Sequence, residues 1–325
     1  MSTTGSASSS QRRSQAKAFA PASVANVAVG FDIMGFSAGV TGDTALVEKI
    51  SERKVIVGEI TGILKSLPSD PLANTATAGL VRLIEDQNLS HGFRVSIEKG
   101  IPLGSGLGGS AASAVAAIVA ANELLERPLT KSELLSYALI GEYVASGSMH
   151  ADNVAPSLYG GFTLAAMQPA TESALPKANV SQLPIPPNLW CVLLHPHLEV
   201  ATKMARGILK PEISLKTHIA ASANLASFMV ALFHSDFESL GQSMKDIVIE
   251  PQRAHLIQGF HAIQNAAMNA GAVACTISGA GPTIFAWAEG QAKAIQIKDQ
   301  MSKAAVTPSS SWAFQLKSDG ARVLA

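Results

Sequence analysis

Apolar and polar residues alternate in the segment HGFRVSIEKG, where polar side chains separate Phe93, Val95 and Ile97. A period of two predicts a β-strand with one buried face. The stretch IPLGSGLGGSAASAVAA follows at residues 101–117 and passes from closely spaced glycines into an alanine-rich segment that predicts a helix. The chain therefore places a strand, a glycine loop and a helix start in direct succession.

The same patterns predict further elements along the chain. Thr130 and Glu133 form the sequence signature of a capping box at the start of a helix. In the N-terminal half we expect strands at 44–50 and 54–60 and helices at 72–86 and 130–145. In the C-terminal half we expect strands at 190–195, 273–278, 283–288 and 312–316 and helices at 202–209, 215–234, 252–270 and 291–303, with a short helix before residue 252. Apart from the extra helices, this second order is β-α-β-β-α-β, which is a ferredoxin-type layout.

Composition points to a globular protein that binds a small molecule. The 325 residues include 47% hydrophobic and 15% charged residues, and Lys+Arg and Asp+Glu are both 24, so there is no basic footprint for nucleic acid or an anionic membrane. The longest apolar run, at 111–121, is too short to cross a bilayer. Cys191 and Cys275 stand in apolar, strand-like runs, which predicts buried thiols and favours the reducing cytoplasm.

The glycine loop has chemistry that suits a phosphate. The first N–H groups of a helix have no partner within the helix and the macrodipole is positive there, so such an end attracts anions. Gly104, Gly106, Gly108 and Gly109 allow close approach to the main chain, and Ser110 can cap the helix or reach a phosphate or its metal.

Three other interpretations apply to a glycine loop of this kind. A plain structural turn is the first, since glycines also serve turns. A Walker A loop is excluded because no Gly-Lys-Ser/Thr follows. Gly104, Gly106 and Gly109 fit the loose pattern G-x-G-x-x-G, but the region after the helix predicts another helix rather than the second strand and acid of a dinucleotide fold.

The pattern Pro-x-Gly-x-Gly-Leu-Gly-x-Ser-Ala-Ala resembles the ATP-binding motif of the GHMP small-molecule kinases, named for galactose, homoserine, mevalonate and phosphomevalonate. Gly109 takes the place of the first of the family's two usual serines, and we expect the backbone contacts with phosphate to survive this change. The resemblance implies nucleotide contacts from Pro102, Gly104, Ser105, Gly106, Leu107, Gly108, Gly109, Ser110 and Ala111.

The segment PASVANVAVGFD resembles the first GHMP motif in the form that homoserine kinases have. It implies that Asn26 and Asp32 contact an amino acid substrate and that Asp32 pairs with its ammonium group. Read without the family, both residues suit turns. Ala28 and Val29 replace the family's usual Gly-Pro. Asn74 resembles a nucleotide-contacting position, although an asparagine at a helix start also serves as a cap.

Glu142 lies on the apolar stripe of its predicted helix, seven residues after Leu135. Either the helix end emerges into solvent there, or the carboxylate binds Mg²⁺, which takes oxygen ligands and keeps several waters. Homoserine kinases place a metal-binding glutamate eight residues before the histidine of their next motif, which is the spacing from Glu142 to His150. With Ser110 as a second ligand, the resemblance implies a magnesium site.

The segment His150-Ala-Asp152-Asn153-Val-Ala-Pro resembles the His-Pro-Asp-Asn-Val-Ala-Pro signature of homoserine kinases, with Ala151 in place of proline. From the residues alone it is either a polar turn or an active site. The resemblance implies that His150, Asp152 and Asn153 lie at the catalytic centre and that Asp152 also orients the substrate. Mevalonate-type kinases have their proposed catalytic aspartate where Asn153 stands, and an amide cannot accept a proton as a carboxylate does. This favours the homoserine branch, which has no side-chain base there.

Arg206 and Arg253 resemble the pair that holds the substrate carboxylate in homoserine kinases, and a planar guanidinium suits bidentate binding. A single arginine is more often a solvated surface residue, so this assignment rests on the surrounding resemblance. Residues 278–283, Ser-Gly-Ala-Gly-Pro-Thr, resemble the third GHMP motif and also suit a hairpin turn.

The resemblance implies an α+β fold with two domains, the GHMP kinase fold. A disordered tail at 1–16 would precede an N-terminal ribosomal-protein-S5-like ATP-binding domain at 17–170 and a C-terminal ferredoxin-like domain at 171–325, joined in the proline-rich stretch 166–188. It further implies a cytoplasmic homodimer that transfers phosphate from ATP, with Mg²⁺, to L-homoserine. Three rivals remain: a GHMP kinase for another acceptor, a dinucleotide oxidoreductase and a nucleotide-binding module without catalysis.

Overall fold

The computed structural model describes residues 13–169, 174–317 and 319–325. Within these ranges the strands form two sheets, one of seven strands and one of four. Alternating or continuously buried side chains mark each central strand, as expected where a sheet packs against a helix layer. No helix of the described residues combines the length and hydropathy needed to cross a membrane.

The first sheet has the order β11-β1-β2-β4-β3, and β5 pairs with both β2 and β6. All its pairs are antiparallel except β3 with β4. Its strands are β1 (Gln15–Ala25), β2 (Met34–Ile50), β3 (Val55–Gly62), β4 (Gly92–Lys99), β5 (Phe162–Met167), β6 (Ala178–Leu183) and β11 (Arg322–Leu324).

The helices α1 (Thr75–Asp86), α2 (Gly109–Asn122), α3 (Lys131–Ser146) and α4 (Val154–Tyr159) lie against this sheet. α2 is buried nearly all round, which its alanines allow because their small side chains let neighbouring backbones approach closely. The predicted capping box at the start of α3 is confirmed, since Thr130 and Glu133 cap each other's backbone N–H groups.

The second sheet has the order β10-β7-β9-β8, and every pair is antiparallel. Its strands are β7 (Leu189–Pro196), β8 (Ala274–Ile277), β9 (Ile284–Glu289) and β10 (Ser309–Gln315). The helices of this half are α5 (Thr202–Gly207), α6 (Leu215–His234), α7 (Phe237–Ser243), α8 (Glu250–Arg253), α9 (Phe260–Asn269) and α10 (Gln291–Ala304). This confirms the predicted ferredoxin-type order and the α+β class.

A cluster of aromatic rings joins the two sheets. Phe36 of β2 and Phe162 of β5 contact Trp287 of β9 with ring centroids 6.0 and 5.9 Å apart, and Phe228 of α6 packs against the same indole. Burial of aromatic rings contributes much of the free energy at such a junction. The sheets are therefore held against each other through a shared core, and the site described below lies where they meet.

Several predicted elements need correction. The helix expected at 252–270 is interrupted after Arg253 by a 3₁₀ turn and by Gly259, whose φ of 78° lies in the left-handed region. β2 is longer than expected, no bounds were predicted for β1, and α4, β5, β6 and β11, which have three to six residues each, were not predicted. Cys191 and Cys275 are free and buried, as predicted.

The predicted domain limits fall partly on residues outside the described ranges. Residues 1–12 of the tail and the division at 170/171 lie outside the described ranges, and β1 already begins at Gln15. β6 and β11 belong to the first sheet although they follow residue 170. The boundary at 170/171 therefore stays a prediction, and the chain returns to the first sheet at its C-terminal end.

Candidate active site

The glycine loop connects Lys99, the last residue of β4, with Gly109, the first residue of α2. Gly104, Gly106 and Gly108 have φ values of 56°, 74° and 66°, a region that glycine occupies without steric cost. Gly108 is the N-cap of α2, and no side chain of the described residues caps this helix. Its first N–H groups and the positive end of its dipole are thus available to an anion.

The loop is packed so closely that two of its glycines have no room for a side chain. A Cβ on Gly106 would lie 2.6 Å from the carbonyl oxygen of Ser278, and one on Gly108 would lie 2.2 Å from Ser23 Oγ and 2.7 Å from Asn153 Oδ1. The loop therefore touches both the first and the third sequence motifs through its main chain.

A cavity of about 520 Å³ opens on this loop, a size that suits a small ligand. Lys99, Lys203 of α5 and Ala280 are among the residues that line it. The residues predicted for the nucleotide, the metal and the reaction that line this cavity are Asn74, Pro102, Gly104, Ser105, Gly106, Gly108, Gly109, Ser110, Glu142 and Asn153.

Three predicted nucleotide residues have other roles in the structure. The side chains of Leu107 and Ala111 are fully buried in the core, so they can reach a nucleotide through the main chain alone. Asn74 is the N-cap of α1: its Oδ1 accepts from Ala76 N–H at 3.0 Å and its Nδ2 donates to the Pro68 carbonyl at 2.9 Å. The capping interpretation of Asn74 is confirmed, and its contact with nucleotide stays a prediction.

The third motif holds the glycine loop in place. Ser278 Oγ donates to the Gly106 carbonyl and Thr283 Oγ1 to the Ser105 carbonyl, both at 2.6 Å. Because Thr283 gives its proton to Ser105, the hydroxyl accepts from His195 Nδ1 at 3.1 Å. Burial, and then the nearby His197, lower the pKa of His195 to about 4, so the ring is neutral at pH 7.

A buried ion pair lies beneath the loop. Lys99 Nζ contacts Asp43 Oδ2 and also donates to the Gly109 carbonyl at 3.0 Å and to Ser113 Oγ at 2.9 Å. Asp43 Oδ1 accepts from the N–H groups of Gly100 and Ile101. One carboxylate thus fixes the start of the loop, the end of β4 and the first turns of α2.

Glu142 and Ser110 meet at the cavity wall. Ser110 Oγ donates to Glu142 Oε2 at 2.8 Å, and Glu142 is 8% exposed, so its carboxylate is buried although the helix end around it reaches solvent at Tyr143. Burial raises the pKa of Glu142 to about 7. Both groups offer oxygen donors, which fits Mg²⁺ as a cation that takes one or two protein oxygens together with phosphates and water. No group of three or more His, Cys, Asp or Glu within the described ranges could hold a metal.

The charged residues predicted for the substrate gather beside this cavity. Arg206 binds Asp32 through two hydrogen bonds, NH1 to Oδ2 at 3.0 Å and NH2 to Oδ1 at 2.8 Å, and His150 Nδ1 lies 3.5 Å from Asp32 Oδ2. His150 Nε2 and Arg206 Nε are buried and have no hydrogen-bond partner among the described residues. Unpaired buried nitrogens of this kind call for a ligand or water.

The segment that carries Asp32 is strained. Asn26, Val27, Ala28 and Asp32 have φ values of 72°, 43°, 57° and 63°, a region that costs free energy for side chains with a Cβ, most of all for a β-branched valine. The amide of Asn26 supports the turn, since Oδ1 accepts from Asp32 N–H at 3.1 Å and Nδ2 donates to the Gly279 carbonyl at 2.8 Å. Asn26 thus positions Asp32, and its own contact with a substrate stays a prediction.

Phe31 separates the two predicted arginines. Its ring lies 5.5 Å from the guanidinium carbon of Arg206 and 5.3 Å from that of Arg253, within range for cation–π attraction. Arg253 is 2% exposed and donates from Nε to the Ala205 carbonyl and from NH1 to the Gly279 carbonyl. Burial lowers the pKa of Arg253, and the charge of Arg206 lowers it further.

Asn153 lines the cavity, and the neighbouring Asp152 interacts electrostatically with Asp32 and Arg206. Asn153 Oδ1 accepts from Ser23 Oγ at 2.8 Å, so the amide directs its N–H groups elsewhere. Asp152 is 4% exposed; burial, and then the charges of Asp32 and Glu142, raise its pKa to about 8. Burial lowers the pKa of His150.

The residues of the site that were not predicted from the sequence include Ser23, Phe31, Lys99 and Lys203. Ser23 and Phe31 lie within the first motif, so their motif position could have identified them. Lys203 stands three residues before Arg206 on α5 and could have been found by the same proximity. The position of Lys99 directly before the glycine loop could also have marked it as a site residue. Its pairing with Asp43 is visible only in the tertiary structure.

Comparison with known proteins gives consistent results. Residues 74–161 match the family model described as GHMP kinases N terminal domain, and residues 228–307 match GHMP kinases C terminal. A homoserine kinase of Xylella fastidiosa is 44% identical over 317 residues, covering 95% of this chain and 94% of the relative. One of Chloroherpeton thalassium is 40% identical over 324 residues, with 95% and 99% covered.

Solved structures agree with these relatives. The crystal structure of homoserine kinase from Cytophaga hutchinsonii superposes with a TM-score of 0.89 at 39% identity, covering 96% of this chain and 98% of the other. The mevalonate kinase of L. major, crystallised with R-mevalonate, shares the fold at a TM-score of 0.67 and 17% identity, with 94% and 98% covered. Relatives of this identity over nearly the whole length show that the chain belongs to the homoserine kinase family of the GHMP kinases.

Proposed function

We propose that this protein transfers the γ-phosphate of ATP to the side-chain hydroxyl of L-homoserine and so forms O-phospho-L-homoserine for threonine biosynthesis. The observation that carries the proposal is the adjacency of the glycine-loop cavity and the Asp32–Arg206 pair. An anion site and a site with both signs of charge suit a nucleotide and a zwitterionic amino acid, and the named relatives are homoserine kinases.

Substrate binding would proceed by exchange of ion pairs. The ammonium group of homoserine replaces Arg206 at the Asp32 carboxylate, and its carboxylate replaces Asp32 at the Arg206 guanidinium, with Arg253 as the second partner. The unpaired Nε of Arg206 supplies a further donor, and His150 Nε2 donates or accepts according to which ring nitrogen carries the proton. A ligand with one charge would leave one of the two protein groups unpaired, which disfavours it.

The nucleotide would bind with its phosphates at the N-terminus of α2. The backbone N–H groups of Gly109 and Ser110 and the Lys203 ammonium belong to residues that line the cavity and are suitable donors. Ser110 and Glu142 would hold Mg²⁺, which neutralises charge on the transferring phosphate when bound. Glu142 then acts as a carboxylate ligand, and Ser110, which donates to it in the structure, presents its oxygen to the cation.

The transfer itself would need no side-chain base. Asn153 cannot take a proton, and its Oδ1 is engaged by Ser23, so its amide can donate to the transferring phosphate. Asp152 and His150 orient the substrate so that its hydroxyl lies in line with the γ-phosphate. Phosphoryl transfer depends mainly on positioning and charge stabilisation, so the hydroxyl proton passes to phosphate. The enzyme would be a cytoplasmic homodimer, and its free cysteines suit that reducing compartment.

The test is ADP release by the purified protein with Mg-ATP and one acceptor at a time. We expect release with L-homoserine and background release with mevalonate, shikimate, galactose or no acceptor. Release with a different acceptor alone would contradict the assignment of homoserine as the substrate and would leave the assignment of the phosphate loop intact. Release with none of them would contradict the proposed phosphotransfer. Tight binding of NAD(H) without ATP turnover would favour a dinucleotide oxidoreductase instead.

A further inference from the structure

α6 (Leu215–His234) carries apolar residues on the face that points away from the protein. Residues 215, 219, 223, 226, 230 and 233 follow one another at intervals of three or four, so they form one stripe along the helix. The four large members are exposed: Leu215 by 74%, Ile219 by 60%, Val230 by 61% and Phe233 by 63%. We call these six residues the α6 stripe.

The opposite side of the helix makes its contacts with the rest of the protein. Phe228, Ala231 and Leu232 are buried there. A helix that is apolar on its outer face as well as its inner face is expected to be covered on both. The residues outside the described ranges, 1–12, 170–173 and 318, include Met1 as their one large apolar side chain, so this chain offers little to cover the stripe.

We propose that a second copy of this chain covers the α6 stripe, so that two α6 helices pair antiparallel across a two-fold axis that passes between Ala223 and Ala226. The inference rests on the homodimer proposed above and names its surface. Its main support is the symmetry of the stripe, with two large residues at each end and the two alanines, both exposed, in the middle. Antiparallel pairing places these small residues at the crossing point, where the helices come closest, and Leu215 against Phe233 of the partner subunit.

Area and charge agree with this arrangement. The four large side chains expose on the order of 450 Å² together, and with the alanines and flanking residues two copies would bury roughly 1,000 Å², about the minimum for a specific interface. The helix contains no Asp or Glu. In the antiparallel pair, Lys216 lies within about one turn of the partner's helix end, where the negative end of the macrodipole and Asp236 of the partner subunit are found.

Sedimentation equilibrium of the full chain tests the surface. We expect a mass of twice 33.7 kDa for the wild type, and a rise of at least about 100-fold in the dimer dissociation constant for Ala226→Glu, which places two carboxylates beside the axis. Ala220→Glu is the matched control, since Ala220 is exposed on the same helix but off the stripe. Leu215→Glu repeats the test at the helix start, where an acid suits the dipole and circular dichroism can confirm folding.

A monomeric wild type would overturn both the homodimer and its surface. A dimer that persists in Ala226→Glu and Leu215→Glu, or one that Ala220→Glu weakens equally, would overturn the surface and leave the homodimer intact. Neither result would contradict the proposed kinase activity, because no residue of the α6 stripe lines the cavity.

Cross-linking tests the direction of the helices. When Leu215→Cys and Phe233→Cys proteins are mixed and oxidised, antiparallel pairing predicts a disulfide between the two different variants. Each variant alone should stay unlinked, because its own thiols lie at opposite ends of the interface. Cys191 and Cys275 are buried and do not compete. Self-linked dimers of each variant without the mixed product would overturn the antiparallel arrangement.

Discussion

Two ion pairs near the active site differ in what surrounds them. Lys99 and Asp43, with side chains 3% and 0% exposed, are enclosed under the glycine loop and hydrogen-bonded to its main chain. Arg206 and Asp32, with 30% and 20% of their side chains exposed, bind mainly each other beside the cavity. The enclosed pair has no free position for a ligand, whereas the open pair can exchange partners with one. Burial therefore separates a structural ion pair from the pair that we propose for substrate recognition.

The two halves of the site differ in the same way. The half that we propose for the nucleotide consists of main chain, a helix start and hydroxyls that donate to the loop carbonyls. The half that we propose for the substrate consists of side chains brought together from a strained turn, from α5 and from α8. We expect changes in the first half to act on folding and nucleotide binding, and changes in the second to act on homoserine.

The largest effect is expected from Asp43→Ala. It leaves the Lys99 ammonium buried without its counter-ion, and we expect the free energy of unfolding to fall by about 3–5 kcal/mol. Urea denaturation measures the loss. Asp299→Ala is the control, because Asp299 Oδ1 lies 3.9 Å from Lys298 Nζ on the surface. A loss below about 1 kcal/mol for Asp43→Ala would show that the enclosed pair is no more important than a surface pair.

Arg206→Met should act on the substrate and little on folding. It removes a bidentate partner that is partly solvated, so we expect KM for homoserine to rise about 100-fold while KM for ATP and the unfolding free energy stay close to wild type. Steady-state kinetics with each substrate varied in turn measures the split. Arg94→Met, at an exposed position on β4, is the control. Equal rises in both KM values would remove the distinction between the two halves.

Phe31→Leu should have a smaller effect on the same substrate. The leucine keeps an apolar side chain but loses cation–π attraction to Arg206 and Arg253, and we expect KM for homoserine to rise about tenfold. Phe31→Tyr should restore it, which a purely structural role would not require. Phe19→Leu removes a similar contact with Arg322, 4.5 Å away, outside the site. If Phe19→Leu raised the KM as much, Phe31 would have no special role.

The smallest effect concerns His195 and pH. Its folded pKa of about 4 lies below the unfolded value, so the unfolded chain binds the proton first and stability falls as pH decreases below about 6.5. Between pH 7 and pH 6 this amounts to about 0.7 kcal/mol. His195→Asn keeps a donor for Thr283, and the difference in unfolding free energy between wild type and variant at the two pH values isolates the effect. A difference that does not change with pH would exclude a buried neutral ring.

Local patterns were sufficient for much of the fold. α6 was predicted at residues 215–234 and is found there, because its apolar residues and its caps are local signals. The strands β6 and β11 were missed, since one is polar and largely exposed and the other has three residues. Their strand conformation depends on pairing with β5 and β1, which distant parts of the chain provide.

The sequence by itself determined the glycine loop proposed for phosphate, because strand, glycines and helix start are contiguous and their chemistry lies in the main chain. It also proposed Asp32, Glu142 and Arg206 through motif positions. Tertiary structure alone decided that Arg206 pairs with Asp32, that Phe31 lies between the arginines and that Lys99 is enclosed with Asp43. These are contacts between residues far apart in the chain, and their burial and charge follow from packing, which no local pattern encodes.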